Sequence, residues 1–207
     1  MTTANSTKSK SRKKQALRYA KHGCAVLPLH TTKHGVCNCR LGGSCTHAGK
    51  HPQTPHGVKD ATTDRNQIRA WKWSNANIGV ATGNGLFVLD VDGEVGQKNL
   101  EVLEAKHGPL PVTVTVETGK GRHYYFSCDE DLHIGNSVGR LGEGIDVRGD
   151  GGYVVGAGSR HSSGRIYRSS DGRGLSKIRI AAAPEWLVTL VVAKPVNKDR
   201  PEPRDSC

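Results

Sequence analysis

No stretch of the 207-residue sequence approaches the roughly 20 apolar residues of a membrane span, and no signal-peptide core follows its basic start. A cytoplasmic protein is expected. Acidic residues are missing from positions 1–21, whose seven Lys/Arg carry +7 of the formal net charge of +11. Residues 194–207 add +1, leaving the body near +3. A basic arm suits a polyanionic partner, because affinity grows with the number of phosphates neutralised. As a solvated terminus it needs no partner. Large apolar residues are scarce between 31 and 60, so that segment has no core of its own. Only 35% of the residues are hydrophobic, yet the length suffices for one domain with a buried core. The six Cys, in a reducing compartment, point to metal or free thiols before disulfides.

The pattern along the chain predicts a disordered basic arm at 1–13, a domain at 14–193 and a flexible tail at 194–207. SRKKQALRYAKHG reads as a helix with Ser11 as N-cap, Ala16, Leu17 and Ala20 on one face, and Gly23 as the stop. CAVLPLH reads as a buried strand, and Asp64 followed by Gln67 as the capping box of a short helix. GLFVLDVDG is a strongly apolar strand, QKNLEVLEAKHG an amphipathic helix, and VTVTVETGKGRHYYFSC two strands around a turn. GIDVRGDGGYVVGAGS and GRIYRS supply further strands, and APEWLVTLVV a closing helix. The fold class is therefore α/β or α+β.

Asp90 and Asp92 end the apolar strand, and residues i and i+2 of a strand share a face while Val91 points away. Two such carboxylates raise each other's pKa unless cations neutralise them, and hard ions such as Mg²⁺ or Mn²⁺ prefer carboxylate and phosphate oxygen. A solvated Asp-Gly turn is the plain alternative. Asp146, between Ile145 and Val147 on a second apolar strand, favours the metal, because an unpaired carboxylate there is costly. Arg148 shares its face and can meet phosphate. His123 follows a Gly-rich turn with Lys120 and Arg122, a place where backbone N–H groups and cations cradle phosphate. The Gly-rich strand that ends in Ser159, Arg160 and His161 can line a nucleotide pocket or be a plain hairpin.

Cys37, Cys39, Cys45 and a His within 15 residues match a Cys₃His structural zinc site. His51, His47, His34 and His56 compete as fourth ligand. Cys24 and Cys128 sit in apolar strands as buried thiols, and Cys207 has no assigned role.

Read in order from about residue 14 to 190, these segments resemble the prim-pol domain of bifunctional DNA primase-polymerases. That domain is a branch of the archaeo-eukaryotic primase superfamily, found in plasmids, phages and integrated elements. The likeness rests on ALRYAKHGCAVLPLH, the Cys cluster ending in GKHP, NIGVATGNGLFVLDVDG, VETGKGRHYYF and GIDVRGDGGYVVGAGS. The superfamily's acidic strand, small-x-His turn and further strand acid fall on Asp90 and Asp92, on Gly121-Arg122-His123, and on Asp146. GAGS at 156–159 departs from relatives that carry a proline there, and nothing after residue 194 resembles their helical module or helicase.

The resemblance implies a primase-type fold: an RRM-like sheet carrying the site, a smaller α/β part, and a zinc-binding insertion at 31–60. Its zinc ligands would be Cys37, Cys39, Cys45 and His51. It also implies nucleotidyl transfer from dNTPs or NTPs to a 3′-hydroxyl on a single-stranded or primed DNA template, with a helicase encoded separately. In that scheme Asp90, Asp92 and Asp146 hold two Mg²⁺ or Mn²⁺ ions, and His123 grips the triphosphate. Lys120, Arg122, Arg148 and Ser159 complete the nucleotide site. A non-catalytic module that binds single-stranded nucleic acid is the alternative.

Overall fold

The computed structural model describes residues 3–192, with side chains from residue 11. The elements begin with α1 (Thr3–Lys21), β1 (Val26–His30), β2 (Thr32–Lys33), β3 (Val36–Cys37), α2 (Arg65–Ala70) and β4 (Ala76–Ala81). They continue with β5 (Leu86–Asp92), α3 (Gly93–His107), β6 (Thr115–Glu117), β7 (Gly121–Ser127) and β8 (Ile145–Arg148). The last are β9 (Tyr153–Val155), β10 (Arg168–Ser169), β11 (Ala181–Ala182) and α4 (Glu185–Val191). No helix among the described residues is long and apolar enough to cross a membrane.

Helix α1 starts at Thr3, so Ser11 is not its cap and the arm expected to be disordered is helical from Thr3 onward. The segment Thr3–Lys21 has no Gly or Pro, and its Ala, Lys, Arg and Gln favour helix. Residues 1–2 and the tail at 194–207, with Cys207, lie outside the described residues. Ala16, Tyr19 and Ala20 are buried at helical spacing, and Gly23 ends the run at φ +80°. Asp64 caps α2 as expected, accepting from the N–H groups of Asn66 and Gln67 at 2.7 Å each.

Two antiparallel sheets organise the chain. The smaller runs β1-β4-β9, and the larger runs β10-β6-β7-β5-β8 with β11 parallel to the end of β7. Within the larger sheet, β5, α3 and β6 form a split β-α-β unit with β7 inserted between its strands, and β8 pairs the far side of β5. This is the strand order of an RRM-like sheet, and the molecule is α+β.

Alternation along β5 divides its residues between two cores. Phe87, Leu89 and Val91 pack with Tyr124, Phe126, Ile145, Leu100 of α3 and Leu187 of α4. Val88 points the other way, into a core shared with Tyr125, Val116, α1 and the smaller sheet. Asp90 and Asp92 continue the Val88 face beyond that core, so the strand that buries its apolar residues also delivers its acids to a cleft.

Strand β4 contributes a fully buried polar residue. Asn77 Oδ1 accepts from Thr31 Oγ1 and from the Arg160 N–H, both at 2.9 Å. Its Nδ2 donates to the carbonyls of Gly49 and Arg160 at 2.8 Å. One satisfied amide thus ties β4 to the 31–60 segment and to the turn after β9.

Candidate active site

The register of the larger sheet sets the site. Asp90 on β5 lies directly opposite His123 on β7 and, on its other side, opposite Asp146 on β8. Residues directly opposite in antiparallel strands share a face, so these three form one row, with Asp92 two residues further along. His123 is buried, and its Nε2 stands 3.3 Å from Asp90 Oδ1. Its Nδ1 is buried without a hydrogen-bond partner among the described residues. Asp146 turns to its own strand, accepting from Arg148 at 2.8 Å and from the Gly139 N–H at 3.1 Å. Cys24 and Cys128 stand apart from this row as free thiols, the first buried and the second half-buried.

The two strand-end carboxylates titrate in opposite directions. Burial by itself raises the pKa of Asp90, but the hydrogen bond and charge of His123, with Arg148 and Lys50, outweigh it and hold the group below the ordinary carboxylate value. Asp92 is pushed up, first by burial and then by the charge of Asp90. A raised pKa means that the folded chain binds this proton more tightly than the unfolded chain does. Stability from Asp92 is therefore lost as pH rises from the ordinary carboxylate range through its raised folded value. Asp92→Asn is expected to raise the melting temperature at pH 7, without divalent ions, by up to about 2 °C. The gain should vanish in melts near the ordinary carboxylate pKa; a fall in melting temperature at pH 7 would contradict the repulsion.

The turn between β6 and β7 is built to approach β5. Thr118 Oγ1 accepts from the N–H groups of Lys120 and Gly121 at 3.1 and 2.9 Å, closing it. A Cβ on Gly121 would lie 1.8 Å from the Val91 carbonyl oxygen, so glycine is required for the strands to meet there. Lys120 and Thr118 line a cleft of ≈430 Å³ with Asp90, Asp92 and His123. Arg148 lines an adjoining lobe of ≈490 Å³ that shares Asp90 and His123.

Two residues expected at the nucleotide site are elsewhere. Arg122 is one residue before His123 and so projects from the opposite face, into a groove with Glu117 and Arg173. Ser159 is fully buried against β4, where its Oγ accepts the Ile78 N–H at 2.9 Å.

Sequence reasoning missed three residues that do line the cleft, His47, Lys50 and Tyr167; His161, at the end of the Gly-rich strand, lines it too. His161 Nδ1 accepts the Ser163 N–H at 3.2 Å, which places the ring proton on Nε2 and makes that atom a donor. Burial, then Lys50 and Lys120, lower its pKa, which favours the neutral ring. Tyr167 packs against His123 and His161, with ring centroids 6.0 and 5.9 Å away. Burial first, and then the charges of Asp90 and Asp92, push its phenol up, so it stays protonated. GSRHSSGRIY carried the only available sign, a His and a Tyr flanking a tight turn.

The cysteine cluster closes the cleft from above. Ligand atoms of Cys37, Cys39, Cys45 and His51 all lie within 4.8 Å of one another. His51 Nε2 is 3.5 Å from Cys37 Sγ and 3.4 Å from Cys45 Sγ. A zinc tetrahedron with bonds of about 2.0 Å to nitrogen and 2.3 Å to sulfur has edges near 3.5 Å, so the set fits a metal such as zinc. The histidine grouped with the three thiols is His51, whereas His47 faces the cleft. His56 is engaged by Asp60 at 2.9 Å, and His34 lines a different pocket.

The all-oxygen donor set of Asp90, Asp92 and Asp146 suits hard divalent ions, and the repulsion at Asp92 is what such ions would relieve. Among the described residues these carboxylates are not gathered as tightly as the thiols, because His123 and Arg148 hold two of them.

The chain matches the family model described as bifunctional DNA primase/polymerase, N-terminal (Prim-Pol), over residues 16–186. No curated protein matched it.

Proposed function

Because the chain belongs to the bifunctional DNA primase/polymerase N-terminal family, we propose that the cleft transfers nucleotides from (d)NTPs to a 3′-hydroxyl on a DNA template. The row of His123, Asp90 and Asp146, with Asp92 beside it, is the observation that carries this reading. Asp90, Asp92 and Asp146 would hold two Mg²⁺ or Mn²⁺ ions, which would supply positive charge for the attacking hydroxyl and the leaving pyrophosphate. His123 holds Asp90 in place through Nε2 and, when substrate enters, offers its imidazole to a phosphate oxygen. Lys120 and Lys50 in the cleft lining supply positive charge, and the His161 Nε2–H is a further donor there. The Cys₃His cluster, loaded with zinc, orders residues 45–50 over the acids.

The test is extension of a primed template with labelled dNTPs and Mn²⁺. Template binding without extension would favour a non-catalytic module. The role of Lys50 has its own test. Lys50→Ala is expected to raise the KM for dNTP about tenfold with little change in kcat, as loss of one charge-assisted contact to substrate requires. Lys50→Arg should recover part of the loss, and both variants should keep one zinc per chain. An unchanged KM would remove Lys50 from the substrate site.

A further inference from the structure

A second basic pocket lies outside the acidic cleft. Its volume is ≈490 Å³, and Arg12 of α1, Lys33 of β2, His34 and Arg160 bring its charge. Among the described residues no carboxylate lines it. Arg12 keeps only 9% of its surface exposed, yet makes no ion pair with a described residue. Its guanidinium reaches the carbonyls of Gly158 and Ser74, both at a long 3.4 Å, and the other N–H groups are left for a ligand. The side chain of Arg160 makes no hydrogen bond to a described residue, although its backbone is clamped by Asn77.

Two arginines facing one cavity repel each other, and burying them without a counter-charge is costly. Burial first, and Arg160 second, lower the pKa of Arg12 accordingly. The chain also spends backbone strain on the same spot. His34 at φ +52° and Gly35 at φ +80° make the tight β2–β3 turn that brings Lys33 and His34 to the rim. Thr31, Thr32 and Ser74 add small polar groups between the cations.

We propose that this pocket binds a phosphate group of nucleic acid or nucleotide. The planar forks of Arg12 and Arg160 match phosphate oxygens in bidentate geometry, and Lys33 adds charge at the rim. Its position fits a second phosphate along the path of a strand. Arg160 is followed at once by His161, which lines the acidic cleft, and Thr32 Oγ1 donates to the His161 carbonyl at 3.3 Å. The segment 160–161 therefore has one pocket on either side. The proposal goes beyond the polymerase reading and stands without it, since it concerns binding alone.

The experiment uses the full chain with Arg160→Gln and Lys33→Gln combined, and separately Arg12→Gln with a melting curve to check folding. One arm measures fluorescence anisotropy of a labelled single-stranded oligonucleotide from low to moderate KCl, without divalent ions. The other measures calorimetric binding of inorganic tripolyphosphate. The double variant is expected to weaken binding about tenfold in one arm or both. A loss confined to the oligonucleotide, with a salt dependence shallower by about 1–2, assigns the pocket to backbone phosphodiesters. A loss confined to tripolyphosphate assigns it to nucleotide phosphates. Unchanged affinity in both arms with the double variant overturns the proposal. The catalytic reading is tested separately, by dNTP incorporation in the Asp90→Ala, Asp92→Ala pair, so its failure would be distinguishable from failure of this pocket.

Discussion

Replacing Asp90 and Asp92 together by alanine is expected to lower dNTP incorporation by at least about 10³-fold while leaving the fold in place. The fold should survive because neither carboxylate is part of a core. The pairing of β5 with β7 and β8 is made by backbone groups, and Phe87, Leu89 and Val91 still fill the face beneath α3 and α4. The chemistry should not survive, because two of the three acids that face one another at this end of the sheet are gone. The paired asparagine variants separate charge from geometry. Asparagine at 90 keeps an oxygen for the His123 Nε2–H but carries no charge to neutralise a divalent ion. Equal loss in the asparagine and alanine pairs assigns the effect to charge. Extension above a tenth of the wild-type rate in either pair would take these aspartates out of the reaction.

Loss of the metal from the cysteine cluster is expected to be almost as damaging, by another route. The 31–60 segment holds few apolar residues, and two of the largest, Val36 and Leu41, are 48% and 59% exposed. Structural zinc in small peptides supplies roughly 10–16 kcal/mol of folding free energy, and here the stretch from Cys37 to His51 has besides the cluster only hydrogen bonds such as those of Asn38 and of Gly49 to Asn77, with almost no apolar packing. Lys50 and His47 belong to that stretch and close the cleft over Asp90. Cys37→Ser with Cys45→Ser should therefore release about one zinc per chain and expose residues 31–60 to protease. Extension in excess Mn²⁺ is expected to fall about 10²-fold. The two cores should stay resistant to protease. Wild-type extension and protease resistance in that variant would mean that the cluster is not what holds the roof.

The acids and the histidine were legible because a strand has period two. Asp90 and Asp92 had to share a face, and Asp146 sat between two apolar neighbours on another strand. The same rule should have removed Arg122, which is one residue from His123 and on the other side of the sheet. Basic residues in a Gly-rich turn look alike until the register is known. Ser159 was unreadable for a different reason: a short Gly-rich run gives no sign of which face is buried. Lys50, His47 and Tyr167 reach the cleft only through contacts between distant segments, which no local pattern encodes. The order of strands in the larger sheet was likewise visible only through family resemblance, because β5 pairs with strands from residues 121–127 and 145–148. The early start of α1 was missed by giving weight to a Ser in a segment with no helix breaker.

Asn77 has a bearing on the order in which the molecule assembles. Its four hydrogen bonds span sequence separations of 28, 46 and 83 residues. Such contacts require large loops to close before any bond rewards them. The neighbouring hairpin of β6 and β7 closes over only a few residues and has no such debt. The acidic strands carry the same cost as Asn77, because Asp90 meets Asp146 only across an intervening stretch of chain as long as those that Asn77 spans. The cleft is complete only when one buried amide has joined the roof segment, β4 and the turn at Arg160.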